Sequence, residues 1–127
     1  MKILLNGINA RSAGGISVII NLVNALASQK SNIQYDLILP KNLDRDNPTF
    51  NSSINVHYKK TFLHPFISRF LDLNYRINKW CKRYNSDICF TMGDIGPINM
   101  KIPHIVLLQQ AIIVYKDIEY EKYWSFV

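Results

Sequence analysis

Three segments of the chain combine glycines, amides and charges in patterns that could bind an anionic substrate. They are residues 6–15, 92–97 and 109–115. In the first segment, Gly14 and Gly15 come directly before an apolar run with helical spacing, and Arg11 precedes them. Free backbone N–H groups at a helix start attract phosphate, and the missing side chains let it approach closely. An arginine in the same loop adds a charge-assisted hydrogen bond, so Gly14, Gly15 and Arg11 are candidate ligands of a diphosphate.

The intervals between the glycines argue against two common phosphate-binding motifs. Gly7, Gly14 and Gly15 do not form a GxGxxG pattern, and no Gly-Lys-Ser/Thr sequence follows them. The same glycines also fit a second interpretation, a flexible strand-to-helix turn with close packing of the helix on a sheet. The glycine loop alone gives the two interpretations about equal weight.

The elements that must position these segments alternate between strand and helix patterns. Buried-strand patterns cover residues 2–6, 33–39 (stopped by Pro40), 54–58, 87–91 and 105–108, and helical spacing covers 16–29, 64–84 and 115–126. Such alternation predicts an α/β fold with a parallel, doubly wound sheet and flanking helices. The ligand crevice of such a sheet lies at the carboxyl ends of its strands, where all three segments are expected to project.

The predicted helix 64–84 is amphipathic and carries much of the positive charge. Its apolar stripe consists of Phe66, Phe70, Leu73, Ile77, Trp80, Cys81 and Tyr84, and the stripe beside it holds Arg69, Arg76, Lys79 and Arg83. One interpretation is a helix on an anionic membrane surface, with basic side chains reaching the headgroups. The other is a helix packed on the sheet with its basic stripe in water, which is the commoner arrangement.

Composition limits the class of protein. The chain has 127 residues, 48% hydrophobic and 19% charged, which is typical of one globular domain. The net charge of +6 suggests an anionic partner, but no nucleic-acid-binding motif accompanies it. No apolar run approaches a membrane span or a signal-peptide core, so secretion is not expected. Cys81 and Cys89 lack metal-ligand spacing and are predicted to be reduced, buried thiols, and the three histidines predict no metal site.

Two stretches resemble the N-terminal half of family 4 glycosyltransferases of the GT-B fold. The first is MKILLNGINARSAGGISV at residues 1–18, and the second is DICFTMGDIGP at 87–97 followed by PHIVLLQQAIIVY at 103–115. The resemblance implies a Rossmann-like domain whose Gly14–Gly15 loop approaches the diphosphate of a nucleotide-sugar donor. That nucleotide sugar is a co-substrate, and no separate cofactor is expected.

The resemblance also implies an acceptor side, formed by Asp94, Gln109 and Gln110. Asp94 would bind the acceptor, or act as general base if transfer inverts the sugar. Turn chemistry alone instead favours Asp94 as a turn residue before Gly96. Gln109 stands where many relatives carry histidine, and its amide can bind a sugar hydroxyl but cannot shuttle a proton. The expected acceptor is a glycan or lipid-linked molecule of cell-surface polysaccharide synthesis, handled in the cytoplasm or peripherally at the inner membrane face.

One part of the family pattern is missing from residues 1–127. Relatives hold the nucleotide on a second domain with an E-x7-E arrangement, whereas Glu119 and Glu121 are only two positions apart. The chain is therefore expected to be a single, incomplete acceptor-side domain that needs a C-terminal domain or second subunit and does not catalyse transfer alone. The alternative function is a non-catalytic Rossmann-like subunit that docks a separate catalytic chain or a membrane surface.

Overall fold

A computed structural model of the chain has one five-stranded sheet with helices on both faces. It describes residues 1–9, 13–29, 32–46, 54–60, 67, 70–71, 75–93 and 96–107. The strands are β1 (Lys2–Asn6), β2 (Gln34–Pro40), β3 (Ile54–Lys59), β4 (Ile88–Met92) and β5 (His104–Leu107). The helices are α1 (Ala13–Ser28), α2 (Ile77–Tyr84) and a short 3-10 helix, Lys41–Asp46.

All neighbouring strands run parallel, in the order β3-β2-β1-β4-β5. The chain builds outward from β1 to β2 and β3, then returns to the other side of β1 for β4 and β5. This confirms the predicted α/β, Rossmann-like sheet. The reversal places the topological switch point between β1 and β4, where open α/β sheets form their ligand crevice.

Each face of the sheet buries its own apolar cluster. Alternate residues of a strand point to opposite faces, and parallel sheets are normally covered on both. The first cluster, which includes α1 residues, contains Leu5, Ile19, Val23, Leu37 and Met92, and the second, which includes α2 residues, contains Leu4, Ile38, Ile77, Trp80, Cys81 and Cys89. Both cysteines are buried and unbridged, as predicted.

The strand predictions agree with the structure within one or two residues, but two details differ. Pro40 is the last residue of β2 and pairs in register with Lys59, rather than lying beyond the strand. A proline is tolerated there because a strand's end has few ladder bonds to lose. Helix α1 begins at Ala13, three residues before the predicted start. Apolar spacing reveals a helix only from its first apolar residue, and here two glycines occupy the preceding turn.

The long helix predicted over 64–84 is only partly confirmed. Residues 77–84 form α2, Tyr75 and Arg76 form a wider π-type turn before it, and residues 61–66, 68–69 and 72–74 lie outside the described set. Phe70 was predicted to be buried in the apolar stripe and is 56% exposed. The wider turn breaks the 3.6-residue period, so positions before it no longer share the face of positions after it.

The described helices include none with both the length and the apolarity needed to cross a membrane. The helix predicted at 115–126 lies outside the described residues.

Candidate functional site

The carboxyl ends of β1 and β4 form the centre of the candidate site. β1 ends at Asn6 and β4 at Met92, and the two strands are adjacent, with Asn6 paired to Thr91. The chain leaves β1 toward α1 and leaves β4 toward β5, so the connections diverge from this point. Divergence at a switch point leaves the carboxyl ends uncovered by either connection, which is why ligands bind there.

A hydrogen bond between two buried polar side chains joins the strands at this point. Asn6 Nδ2 donates to Thr91 Oγ1 at 3.2 Å, and each residue is 1% exposed. The other end of the Asn6 amide holds the loop that follows β1, because Asn6 Oδ1 accepts from the Ile8 N–H at 3.4 Å. Buried polar groups are retained only where they are paired. The pair therefore holds two neighbouring strand ends and the first loop in one arrangement.

His104 extends this hydrogen-bonded network to β5. Its Nε2 lies 3.0 Å from Thr91 Oγ1, and partial burial lowers the pKa of the imidazole. All three residues are satisfied if Asn6 donates to the Thr91 hydroxyl and that hydroxyl donates to a neutral His104 Nε2. Gly96, in the loop after β4, packs directly on the His104 ring and leaves no room there for a Cβ atom. His104 thus lies between Gly96 of the loop after β4 and the Thr91 side chain, and it stabilises the strand ends through both contacts.

The first turn of α1 presents open backbone at the same edge of the sheet. Gly14 is exposed, its backbone is not in the left-handed region, and a Cβ atom added to it would meet no atom of the other described residues within 4 Å, the helix's own backbone apart. Within the part of the chain that the structure describes, neither packing nor backbone conformation therefore requires a glycine at this position. The first turn of α1 also carries no acidic side chain that would compete for its N–H groups.

Gly7 shows the contrasting case of a glycine required by packing. A Cβ atom there would lie 2.7 Å from Ile19 Cδ1 and 3.1 Å from Leu39 Cδ2. Its N–H donates to the Ile38 carbonyl at 2.9 Å, so the loop after β1 lies tightly against β2 and α1. The packing interpretation of the glycine loop accordingly holds for Gly7, whereas no described residue supports it at Gly14.

The segment after β4 begins with a turn that only glycine adopts easily. Gly93 has a φ of 155°, in a region that side chains disfavour, and no atom of the other described residues lies within 4 Å of its Cβ position. The turn redirects the chain at the carboxyl edge, toward Asp94. Asp94 itself lies outside the described residues.

The predicted site residues therefore divide into two groups. Gly14 and Gly15 lie in the first turn of α1, at the predicted edge. Arg11, Asp94, Gln109 and Gln110 lie outside the described residues, so their predicted roles stay predictions. Sequence analysis missed the network of Asn6, Thr91 and His104. The sequence pattern does contain a sign of it. Asn6 and Thr91 are polar residues at or next to the carboxyl end of a strand, and His104 is the first residue of β5.

A second polar cluster lies under α2, away from the carboxyl ends. His57 Nε2 lies 2.8 Å from Asp36 Oδ1, and the His57 ring stacks on Tyr84 with centroids 4.2 Å apart. These contacts link β2 and β3 to the last turn of α2 and so hold the helix on the sheet. Among the described residues no group of His, Cys, Asp and Glu side chains could hold a metal ion.

Comparisons with protein families, with curated proteins and with solved structures find no match to this chain. The architecture of the sheet and the geometry of the switch point therefore form the basis for a function.

Proposed function

We propose that the chain is the acceptor-side, N-terminal part of a nucleotide-sugar-dependent glycosyltransferase of the GT-B type. The donor diphosphate approaches the backbone of Gly14 and Gly15, and the acceptor, a glycan or lipid-linked molecule, lies along the loops that follow β4 and β5. Asp94, Gln109 and Gln110 are the proposed acceptor contacts, and Arg11 is the proposed charge partner of the diphosphate.

The observation that carries this proposal is the open space at Gly14. A glycine at the first turn of a helix is explained by packing when side chains fill the space around it, and no side chain of the described residues lies within 4 Å here. A diphosphate that contacts the backbone gives a reason for the missing side chain. The position of that turn beside the β1–β4 switch point supports the same conclusion, since ligands of such sheets bind at this edge.

The proposed chemistry is electrostatic stabilisation and placement. Helix N–H groups stabilise the negative charge that develops on the leaving diphosphate, and loops at fixed strand ends hold the acceptor hydroxyl close to the sugar. The network of Asn6, Thr91 and His104 contributes by holding those strand ends. His104 is not proposed as a proton carrier, because its ring bonds to Thr91 and lies under Gly96.

The membrane interpretation of the basic stripe receives less support. The Arg76 guanidinium donates to the Lys60 carbonyl at 2.6 Å and stacks over Trp80, with its Cζ atom 5.0 Å from the ring centroid. Arg76 is therefore committed to contacts within the protein. Lys79 and Arg83 are exposed. We therefore leave a membrane surface out of the proposed site.

Calorimetric titration with nucleotide sugars tests the proposed function. Uridine- and guanosine-diphosphate sugars and inorganic pyrophosphate are titrated into the wild-type chain and into Gly14→Ala. A methyl group at Gly14 fits the fold, because the space is open, yet it blocks close approach of a phosphate. The expected result is measurable binding to wild type and at least a tenfold loss in Gly14→Ala, which is about 1.4 kcal/mol.

Asn24→Ala serves as the matched control, since Asn24 is an exposed α1 residue two turns or more from the helix start. It also introduces alanine into α1 but should leave affinity unchanged. Equal affinities in wild type and Gly14→Ala would contradict the proposal. Saturable binding of a glycan or a protein partner together with indifference to every nucleotide sugar would favour the non-catalytic binding subunit instead.

A further inference from the structure

A cavity of about 510 Å³ lies at the edge of the sheet opposite the switch point. Its walls come from the last turns of α2, the turn between α2 and β4, and the segment just before β5. The volume is within the range of small-molecule sites. Because these walls lie at the amino ends of β4 and β5, the cavity is separate from the proposed donor site.

The lining combines an apolar interior with positive charge. Cys81 and Ile102 contribute apolar surface, and Lys79, Lys82 and Lys101 are lining residues with exposed, positively charged side chains. The described lining residues include no aspartate or glutamate, and none of the three lysines forms an ion pair within the described part of the chain. The nearest carboxylate along the chain, Asp87, is not among the lining residues, and it accepts a hydrogen bond from the Lys2 N–H at 2.7 Å. Within the described part of the chain, the three lysines of the lining therefore have no ion-pair partner.

Ser86 provides an independent sign that a polar ligand belongs here. The residue lines the cavity and is 8% exposed, and its hydroxyl oxygen is buried without a hydrogen-bond partner among the described residues. Buried hydroxyl groups are normally paired, so each unpaired one calls for an explanation. The Ser86 hydroxyl oxygen has almost no solvent-accessible surface, so a ligand oxygen in the cavity would supply the missing partner after rotation of the Ser86 side chain toward the cavity.

Backbone hydrogen bonds at the end of α2 fix the position of Ser86. Asn85 adopts a left-handed conformation with φ 50° and ψ 49°, and the N–H groups of Asn85 and Ser86 donate to the Lys82 and Cys81 carbonyls. This is a Schellman-type helix end. It satisfies two carbonyls of the last turn, which would otherwise repel an anion, and it holds Ser86 at the cavity wall.

We propose that this cavity binds an organic phosphate, with a phosphomonoester group among Lys79, Lys82, Lys101 and Ser86 and an apolar body against Cys81 and Ile102. Three ammonium groups suit a dianionic phosphate better than a single carboxylate charge, and lysine binds phosphate as a point charge. The Ser86 hydroxyl pairs with a phosphate oxygen. The phosphate can belong to a soluble metabolite or to a lipid headgroup, and the experiment separates the two.

Two-dimensional ¹H–¹⁵N NMR titration with phenyl phosphate tests the proposal, with inorganic phosphate as the probe that lacks the apolar body. The expected result is saturable shifts at Asn85, Ser86, Lys101 and Ile102, with tighter binding of phenyl phosphate. Lys82→Gln should weaken binding about tenfold, as expected for loss of one hydrogen bond to a charged group. Lys41→Gln, at an exposed lysine of the 3-10 helix outside the cavity, is the control with the same charge change.

Ser86→Ala gives a second test that separates a ligand role from a folding role. Removal of an unpaired buried hydroxyl should leave the urea midpoint of unfolding unchanged or higher, while phenyl phosphate affinity falls several-fold. A lower midpoint together with unchanged affinity would overturn the proposal. Equal weakening by Lys82→Gln and Lys41→Gln, or shifts that never saturate, would also overturn it, because both indicate nonspecific attraction to the net charge.

Competition identifies the source of the phosphate. Displacement of phenyl phosphate by glycerol 3-phosphate supports a soluble ligand. Displacement by phosphatidic acid vesicles, but not by phosphatidylcholine vesicles, supports a lipid headgroup in the same site. Failure of all phosphate-bearing competitors to displace phenyl phosphate would overturn the assignment to phosphate, since the apolar ring alone would then explain its binding.

Discussion

The contrast between Gly14 and Gly7 allows a sharp test of the proposed phosphate-binding loop. Gly7 lies directly after β1 and Gly14 lies seven positions later, in the first turn of α1, and the same substitution, to alanine, should have opposite effects on stability. At Gly14 the added Cβ meets no atom of the other described residues within 4 Å. Alanine is favoured over glycine in helices by up to about 1 kcal/mol, so Gly14→Ala at a helix start should stabilise the fold by about 0.5 kcal/mol.

At Gly7 the added Cβ lies 2.7 Å from Ile19 Cδ1, whereas ordinary contact begins at 3.4 Å, an overlap of 3.4 − 2.7 = 0.7 Å. The Ile38 carbonyl oxygen, 3.2 Å away, is backbone and cannot move aside. Overpacking of this kind typically costs about 1 to 3 kcal/mol. Gly7→Ala should therefore be less stable than Gly14→Ala by about 1.5 to 3.5 kcal/mol, the sum of the two effects.

Equilibrium urea unfolding, followed by far-ultraviolet circular dichroism, measures both variants against wild type. A change in midpoint with an unchanged slope identifies a change in stability. Gly14→Ala should raise the midpoint while weakening pyrophosphate binding, a combination that packing defects do not produce. Loss of more than 1 kcal/mol in Gly14→Ala would show that neighbouring atoms fill the space at this glycine. The backbone there would then be closed to a ligand, and the reasoning behind the donor site would fail.

Two further predictions concern the hydrogen-bonded network beneath the switch point. Thr91→Val keeps the shape of the side chain but leaves the buried Asn6 amide without its partner. We expect the free energy of unfolding in urea to fall by about 1 to 3 kcal/mol. An unchanged midpoint would show that the network does not stabilise the strand ends. Burial lowers the pKa of the His104 imidazole below its usual 6.5. As the pH falls, the unfolded chain therefore binds a proton at His104 before the folded chain does. The stability contributed by neutral His104 should be complete above about pH 6.5 and lost as the pH falls through the pKa of the folded state. His104→Gln should flatten that decline in a pH series of unfolding curves, and a decline as steep as in wild type would assign it to other groups.

The strands were predictable because most of them are short, mainly apolar segments bounded by glycine, proline or polar residues. β1 was predicted at its observed limits, Lys2–Asn6. The parallel direction of the strands followed from the alternation of strands and helices, because parallel strands require crossover connections. These features depend on the local pattern of apolar and polar residues, which can be recognised in a single sequence. The order of the strands within the sheet was not predicted.

The polar residues of the buried network stand out in the sequence, but their pairing could not be predicted, because it depends on register between distant segments. Asn6 and Thr91 are separated by 85 positions and meet only because β1 pairs with β4 in a register that aligns them. Phe70 was misplaced for a related reason. A π-type turn at Tyr75 and Arg76 changes the phase of the helix, and apolar spacing before and after that turn gives no sign of it. The open space beside Gly14, seen among the described residues, likewise depends on the fold and is not visible in the sequence.

The proposed donor site is tested most directly by mapping pyrophosphate on the assigned ¹H–¹⁵N spectrum of the wild-type chain. The account predicts saturable shifts that are largest at Gly14, Gly15 and Ile16, in the first turn of α1, and that disappear in Gly14→Ala. Shifts confined to residues 85–86 and 101–102 would show that the anion binds only the cavity at the opposite edge. That result, or no saturable shift in the first turn of α1, would contradict the proposal that this chain approaches a donor diphosphate through its glycine loop.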